Sequence, residues 1–113
     1  MSDDQAHAIE RLLSVIEARK GADPGSSYTA SLLDKGPARI AQKLGEEAVE
    51  AAIAAVDAEA KPGALVGESA DILYHLLVLW TAKGVSAEEV WAELDRRAGT
   101  SGLDEKASRQ GGR

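Results

Sequence analysis

The segment Glu68-Ser69-Ala70-Asp71-Ile72-Leu73-Tyr74-His75-Leu76-Leu77-Val78-Leu79-Trp80 decides the fold. From Ile72 onward it is apolar on nearly every side of a helix, and such a helix is buried between neighbours or across a subunit interface. Two carboxylates, Glu68 and Asp71, nevertheless begin the segment three residues apart, a spacing that places them on one helix face. The segment therefore predicts a buried helix that carries acids into an all-α bundle.

A second acidic pair precedes this segment in Glu46-Glu47-Ala48-Val49-Glu50. On a helical wheel, Glu47 lies in the middle of an apolar stripe and Glu50 lies at its edge. The short turn at Pro62-Gly63 makes the two helices an antiparallel pair. We therefore expect the two acidic pairs to face each other across this pair of helices.

Apolar spacing, caps and breakers predict about five helices and no strand. The predicted helices run roughly over Gln5–Lys20, Tyr28–Lys35, Pro37–Glu59, Ala64–Lys83 and from a Ser86-Ala87-Glu88-Glu89 capping box to near Gly99. Residues 1–113 form one all-α domain with a polar tail over about 100–113. The fourth helix is too apolar for a monomer, so the antiparallel pair should complete a four-helix bundle in a homodimer.

Composition excludes several classes of protein. The net charge of −6 argues against nucleic-acid binding. The longest apolar run, Leu76–Trp80, is far too short to span a membrane, and Met1–Glu10 has no apolar stretch of signal length. There is no Cys, which excludes disulfides, thiolate zinc sites and a Cys nucleophile. These features fit a cytoplasmic protein that binds a small molecule.

Four carboxylates that face an apolar interior repel one another and are costly to desolvate, and a hard divalent cation relieves both costs. An all-carboxylate set favours Mg²⁺, with Mn²⁺ possible, over Zn²⁺. A di-iron bundle would need a Glu-x-x-His unit on two helices, whereas this chain offers only Asp71-x-x-x-His75. The predicted metal ligands are therefore Glu47, Glu50, Glu68 and Asp71.

Alternative interpretations remain open for these residues. The acids could be solvated side chains on amphipathic helices, although their apolar flanks argue against it. Glu46 is better explained as solvated or as a neighbour of the ligands. His75 is a candidate ligand, but a core histidine or a hydrogen bond to a carboxylate is the favoured interpretation.

The arrangement Glu47-x-x-Glu50 followed by Glu68-x-x-Asp71 resembles the signature of the all-α nucleotide pyrophosphatase superfamily. Further segments are similar to the phosphoribosyl-ATP pyrophosphatase family, and the resemblance covers about Ile9 to Arg109. These segments are Ser27-Tyr28-Thr29, Leu32-Leu33, Lys43 to Glu50, Glu68 to Leu76 and Ser101 to Arg109.

The resemblance implies a homodimer that binds Mg²⁺ with the four acids and hydrolyses phosphoribosyl-ATP to phosphoribosyl-AMP and pyrophosphate in histidine biosynthesis. A housekeeping hydrolase of other nucleoside triphosphates would use the same scaffold. A non-catalytic helical dimerisation module is the distant alternative, and it leaves the inward acids unexplained.

The resemblance and the chemistry together suggest roles for further residues. A carboxylate that is not fully used as a ligand could accept a proton from water, and Glu46 and Glu47 are the candidates. Arg39 and Lys43 could bind phosphates from one helix face. Weaker candidates for substrate binding are Tyr28, Thr29, His75, Arg19, Lys20, Lys106 and Arg109.

Overall fold

The computed structural model describes residues 8–99. Within that range the chain forms five helices and no strand. They are α1 (Ala8–Ala18), α2 (Tyr28–Lys35), α3 (Pro37–Val56), α4 (Pro62–Lys83) and α5 (Ala87–Ala98). The prediction of an all-α fold with about five helices is confirmed.

The helix boundaries follow local chemistry. Ser27 caps α2, since its side chain accepts a hydrogen bond from the Ala30 amide. Gly36 separates α2 from α3 with a φ of 96°, a conformation that L side chains rarely adopt. The predicted capping box at α5 is present, because Ser86 and Glu89 each accept from the other's backbone amide.

Two predicted boundaries between α3 and α4 were wrong. α3 ends at Val56 and not at Glu59, because Asp57 adopts an extended conformation and its Oδ1 accepts from the Glu59 amide. Pro62 begins α4, two residues before the predicted start at Ala64. A proline is tolerated in the first helical turn, where its missing N–H would have had no partner. The first predicted helix also ends earlier, at Ala18.

The core combines four helices, and α3 packs along α4 in the most extensive contact between helices of the described region. α1, α2 and α3 each contribute one fully buried aliphatic residue and α4 contributes two; together these are Ile16, Leu32, Ile40, Leu77 and Val78. At the far end of α4, Trp80 meets Trp91 of α5 edge to face, with ring centroids 6.0 Å apart. The acidic segments of α3 and α4 therefore belong to one packed hairpin.

Part of this hairpin is apolar and exposed in the single chain. On α3 the exposed side chains are Val49, Ile53 and Val56, and on α4 they include Val66 and Leu73. The sequence predicted that α4 would be covered on nearly every side, and one chain leaves this surface uncovered. Over residues 8–99, none of the helices combines the length and apolarity that a membrane crossing requires.

Candidate metal centre

Three of the predicted acids converge between α3 and α4. Glu47 and Glu50 lie one turn apart on α3, and Glu68 lies opposite them on α4. One carboxylate oxygen from each lies within 4.8 Å of the others. The i, i+3 spacing on α3 and the packing of the two helices are what bring these groups together.

Glu68 has the least favourable environment of the three. Its side chain is only partly buried, but Oε2 is covered and has no hydrogen-bond partner within residues 8–99. The pKa of Glu68 is raised to about 7, chiefly by loss of hydration, and contact with the Glu47 carboxyl and repulsion from Glu50 also contribute to this rise. The apo cluster therefore favours a proton on one of its carboxyls near neutral pH.

The same features fit a hard divalent cation. A buried oxygen without a donor, next to two further carboxylates, supplies an anionic all-oxygen ligand set of the kind Mg²⁺ prefers. Lys43 does not neutralise the cluster, because its Nζ pairs with Glu46 at 3.7 Å. A cation would replace the lost hydration of Glu68 and cancel the repulsion among the three acids.

The remaining predicted acids lie outside this group. Asp71 is exposed, one turn beyond Glu68 on α4, and its carboxylate does not join the three that converge. Glu46 is exposed on α3, where its carboxylate pairs with the Lys43 ammonium at 3.7 Å. The single chain thus separates the four predicted ligands into a group of three and one solvated acid.

His75 is buried and bonds to both α4 and α2. Its Nδ1 lies 2.9 Å from the backbone carbonyl oxygen of Asp71, and its Nε2 lies 3.4 Å from the hydroxyl of Tyr28. His75 is therefore a core histidine, and its partners are a backbone carbonyl and a tyrosine hydroxyl rather than a carboxylate. Tyr28 itself is exposed.

A second bond crosses from α2 to α4 and was not foreseen. The hydroxyls of Thr29 and Tyr74 are hydrogen bonded to each other. Thr29 was predicted only as a weaker candidate for substrate binding, and its bond to Tyr74 was not predicted. The sequence carries no periodic signal for this bond, because its two residues are 45 positions apart.

The predicted basic residues are dispersed. Arg39 is half-buried on α3, one turn before Lys43. Arg19 lines a cavity of about 380 Å³ with Ser26 and Ser27, and Lys20 lines a different cavity of similar volume. Lys106 and Arg109 lie outside the described residues. The basic side chains closest in sequence to the acids are thus those of α3.

The sequence of the chain is similar to those of known proteins. Residues 9–98 match the family described as Phosphoribosyl-ATP pyrophosphohydrolase. A Phosphoribosyl-ATP pyrophosphatase of Paramagnetospirillum magneticum is 61% identical over 101 residues, which cover 89% of this chain and 91% of the relative. The Rhodobacter capsulatus protein of the same name is 61% identical over 90% of this chain and 97% of its own length. The one from Azospirillum brasilense is 50% identical over 97% and 99%.

Proposed function

Because the chain belongs to the phosphoribosyl-ATP pyrophosphohydrolase family, we propose that it hydrolyses phosphoribosyl-ATP to phosphoribosyl-AMP and pyrophosphate, a step of histidine biosynthesis. The chain is an enzyme of the class that hydrolyses a phosphoric anhydride. The observation that carries the proposal is the cluster of Glu47, Glu50 and Glu68, in which one buried oxygen has no hydrogen-bond partner among residues 8–99. An acidic chain needs such a device to bind a polyphosphate, because its net charge of −6 otherwise repels the substrate.

We propose Mg²⁺, or Mn²⁺ in its place, as the cation that these residues hold. Glu47, Glu50 and Glu68 would supply the ligands, and Asp71 would join them as the fourth acid. The bound cation would neutralise charge on the phosphates and lower the pKa of a bound water. The fit rests on the donor set, since all of these ligands are carboxylates.

The chain's own residues have the remaining tasks. A carboxylate at the border of the cluster can accept a proton from the attacking water, and Glu46 and Glu47 are the candidates. Lys43 and Arg39 lie one turn apart on α3 and would bind phosphate oxygens. The ammonium of Lys43 pairs with the Glu46 carboxylate at 3.7 Å in the single chain.

We further propose that the enzyme is a homodimer. The exposed apolar side chains of α3 and α4, among them Val49, Ile53 and Leu73, form a surface that a second copy would cover. A twofold pairing of the α3–α4 hairpins gives the four-helix centre that the sequence predicts. We place the reaction in the cytoplasm, since a phosphorylated nucleotide does not cross a membrane unaided.

The test is a comparison of substrates and metals. Pyrophosphate release should be much faster from phosphoribosyl-ATP than from dCTP or dUTP, should require Mg²⁺ or Mn²⁺, and should stop in excess EDTA. Preference for dCTP or dUTP would instead indicate a housekeeping hydrolase. If none of the three substrates releases pyrophosphate in the presence of Mg²⁺, the remaining interpretation is a non-catalytic dimerisation module.

A further inference from the structure

His75 is a buried titratable side chain for which the proposed chemistry has no use. It is 5% exposed and its Nδ1 lies 2.9 Å from the carbonyl oxygen of Asp71. Because a carbonyl can only accept a hydrogen bond, Nδ1 carries the proton. In the neutral ring, Nε2 is then an acceptor, and the backbone of α4 has fixed which nitrogen faces α2.

The acceptor nitrogen faces Tyr28. The Tyr28 hydroxyl donates to His75 Nε2 at 3.4 Å, and the two rings meet edge to face with centroids 6.3 Å apart. The Tyr28 ring also lies nearly parallel to that of Tyr74, at 19° and 6.3 Å, and the Tyr74 and His75 rings are themselves neighbours at 5.1 Å. The Thr29–Tyr74 bond attaches the same turn of α2 to α4. The hydroxyl of Tyr28 is therefore directed inward and its ring is held by two neighbours.

The held ring is nevertheless open to solvent. Tyr28 is 56% exposed, which is unusual for an aromatic side chain that makes three ordered contacts. Its place relative to the acids is defined by α4, on which Glu68 and His75 lie two turns apart on one face, about 10 Å along the axis. That separation is comparable to the length of a triphosphate chain with its ribose. A nucleotide with its phosphates at the acids could therefore reach Tyr28 with its base.

We propose that His75 is a positioning residue that holds the Tyr28 hydroxyl and thereby fixes the exposed Tyr28 ring as the surface on which the adenine of the nucleotide stacks. Exposed aromatic rings are suited to this, since every base has a π-face. The inference rests on the proposed function, because it takes the phosphates to be bound at the acidic cluster. It assigns His75 to substrate affinity and not to the chemical step.

Two substitutions of His75 by amide side chains each keep one of its two hydrogen bonds and remove the other. His75→Asn keeps a donor near the position of Nδ1 but cannot reach Tyr28. His75→Gln places an amide near the position of Nε2, where it can accept from the Tyr28 hydroxyl. We expect His75→Asn and Tyr28→Phe each to raise KM for phosphoribosyl-ATP about 3- to 10-fold, the worth of one neutral hydrogen bond, with kcat little changed. His75→Gln should stay within about twofold of wild type.

The double variant His75→Asn with Tyr28→Phe gives the decisive readout. Both changes remove the same bond, so the double variant should be no worse than either single one. Thr81→Val is the matched control, because Thr81 is buried on α4 and its hydroxyl donates to the Leu77 carbonyl of the same helix. It should lower the melting temperature without changing KM. Tyr28→Phe should fold normally, because the hydroxyl that it removes belongs to a largely exposed side chain.

Several outcomes would overturn the positioning role. The first is an additive rise in KM in the double variant, and the second is an unchanged KM in Tyr28→Phe. The third is an equal rise in KM in His75→Asn and His75→Gln. A merely structural histidine would give each of these patterns. If wild type does not turn over phosphoribosyl-ATP, the proposed function fails separately. The positioning role is then judged by the dissociation constant of ATP with Mg²⁺, measured by calorimetry on the same variants, and equal constants throughout would refute it.

Discussion

Replacement of Glu68 by Gln tests the electrostatics of the cluster without any substrate. The amide keeps the shape of the side chain and removes the group whose pKa lies near 7 in the folded protein, against 4.5 as its ordinary value. Because the folded pKa is the higher one, the folded state binds more protons than the unfolded state between these two values. Glu68 therefore contributes stability below about pH 4.5, and that contribution is lost as pH rises towards 7.

The magnitude follows from the two pKa values. Near pH 5.8, Glu68 is about 95% protonated in the folded state and about 5% protonated in the unfolded state, so folding takes up about 0.9 of a proton at this group. The metal-free wild type should consequently become less stable from pH 5 to pH 7. In Glu68→Gln this proton uptake is absent, and the decline should be flatter by the same amount.

The assay is urea unfolding in chelator at fixed protein concentration, at half-unit steps from pH 3.5 to 8. Glu93→Gln is the matched control, because hydrogen bonds from Arg96 lower the pKa of Glu93 to about 2. The contribution of Glu93 is present above pH 4.5 and is lost as pH falls towards 2, so its removal should lower stability by a constant amount above pH 4.5 and should change the slope only below it. Added Mg²⁺ should stabilise wild type increasingly as pH rises and should stabilise Glu68→Gln less. If the unfolding free energy of wild type and Glu68→Gln depends on pH with the same slope between pH 5 and 7, the raised pKa of Glu68 is refuted.

Three further predictions address the site, the interface and the fold. Asp71→Asn should lose most of its turnover while its helical circular dichroism persists. The matched surface change Asp95→Asn should keep turnover. Full activity of Asp71→Asn at saturating Mg²⁺ would show that Asp71 is not a metal ligand. Ile53 is 58% exposed in the single chain and lies on the proposed interface, where Ile53→Glu would place a charge. The mass measured by sedimentation should therefore fall from that of two chains to that of one. An unchanged dimer would place the interface elsewhere. Ser86→Ala removes one half of the capping box and should cost about 1 kcal/mol of unfolding free energy, and an unchanged urea midpoint would show that α5 does not depend on its cap.

Local sequence signals predicted the helices well because those signals are complete within a few residues. Ser86 and Glu89 need only each other's amide to begin α5, and Gly36 needs only its own freedom at positive φ. The connection between α3 and α4 was harder, since Asp57 competes with the helix through its own side chain. A proline pattern alone does not decide whether Pro62 ends one helix or begins the next.

The acidic site was predictable only in part, because a helical wheel gives relative directions and not the rotation of a helix in its bundle. Glu68 and Asp71 differ by about 60° around α4, enough for one to face α3 while the other faces solvent. Tertiary packing decides which of them turns inward. The contact of Tyr28 with His75 spans 47 residues and carries no periodic signal, so only the structure could reveal it.

Two unfavourable features of the described fold lie on the same α3–α4 hairpin, and they have a common explanation. Glu68 carries a covered oxygen without a partner, and Val49, Ile53 and Val56 expose apolar surface along the helix that supplies the other two acids. A sequence selected for the stability of an isolated chain would avoid both, since each opposes folding. Under the proposed function, a cation would relieve the first and a second copy of the chain would relieve the second. The departures from local folding rules thus lie at the residues to which the proposal assigns the metal site and the dimer interface.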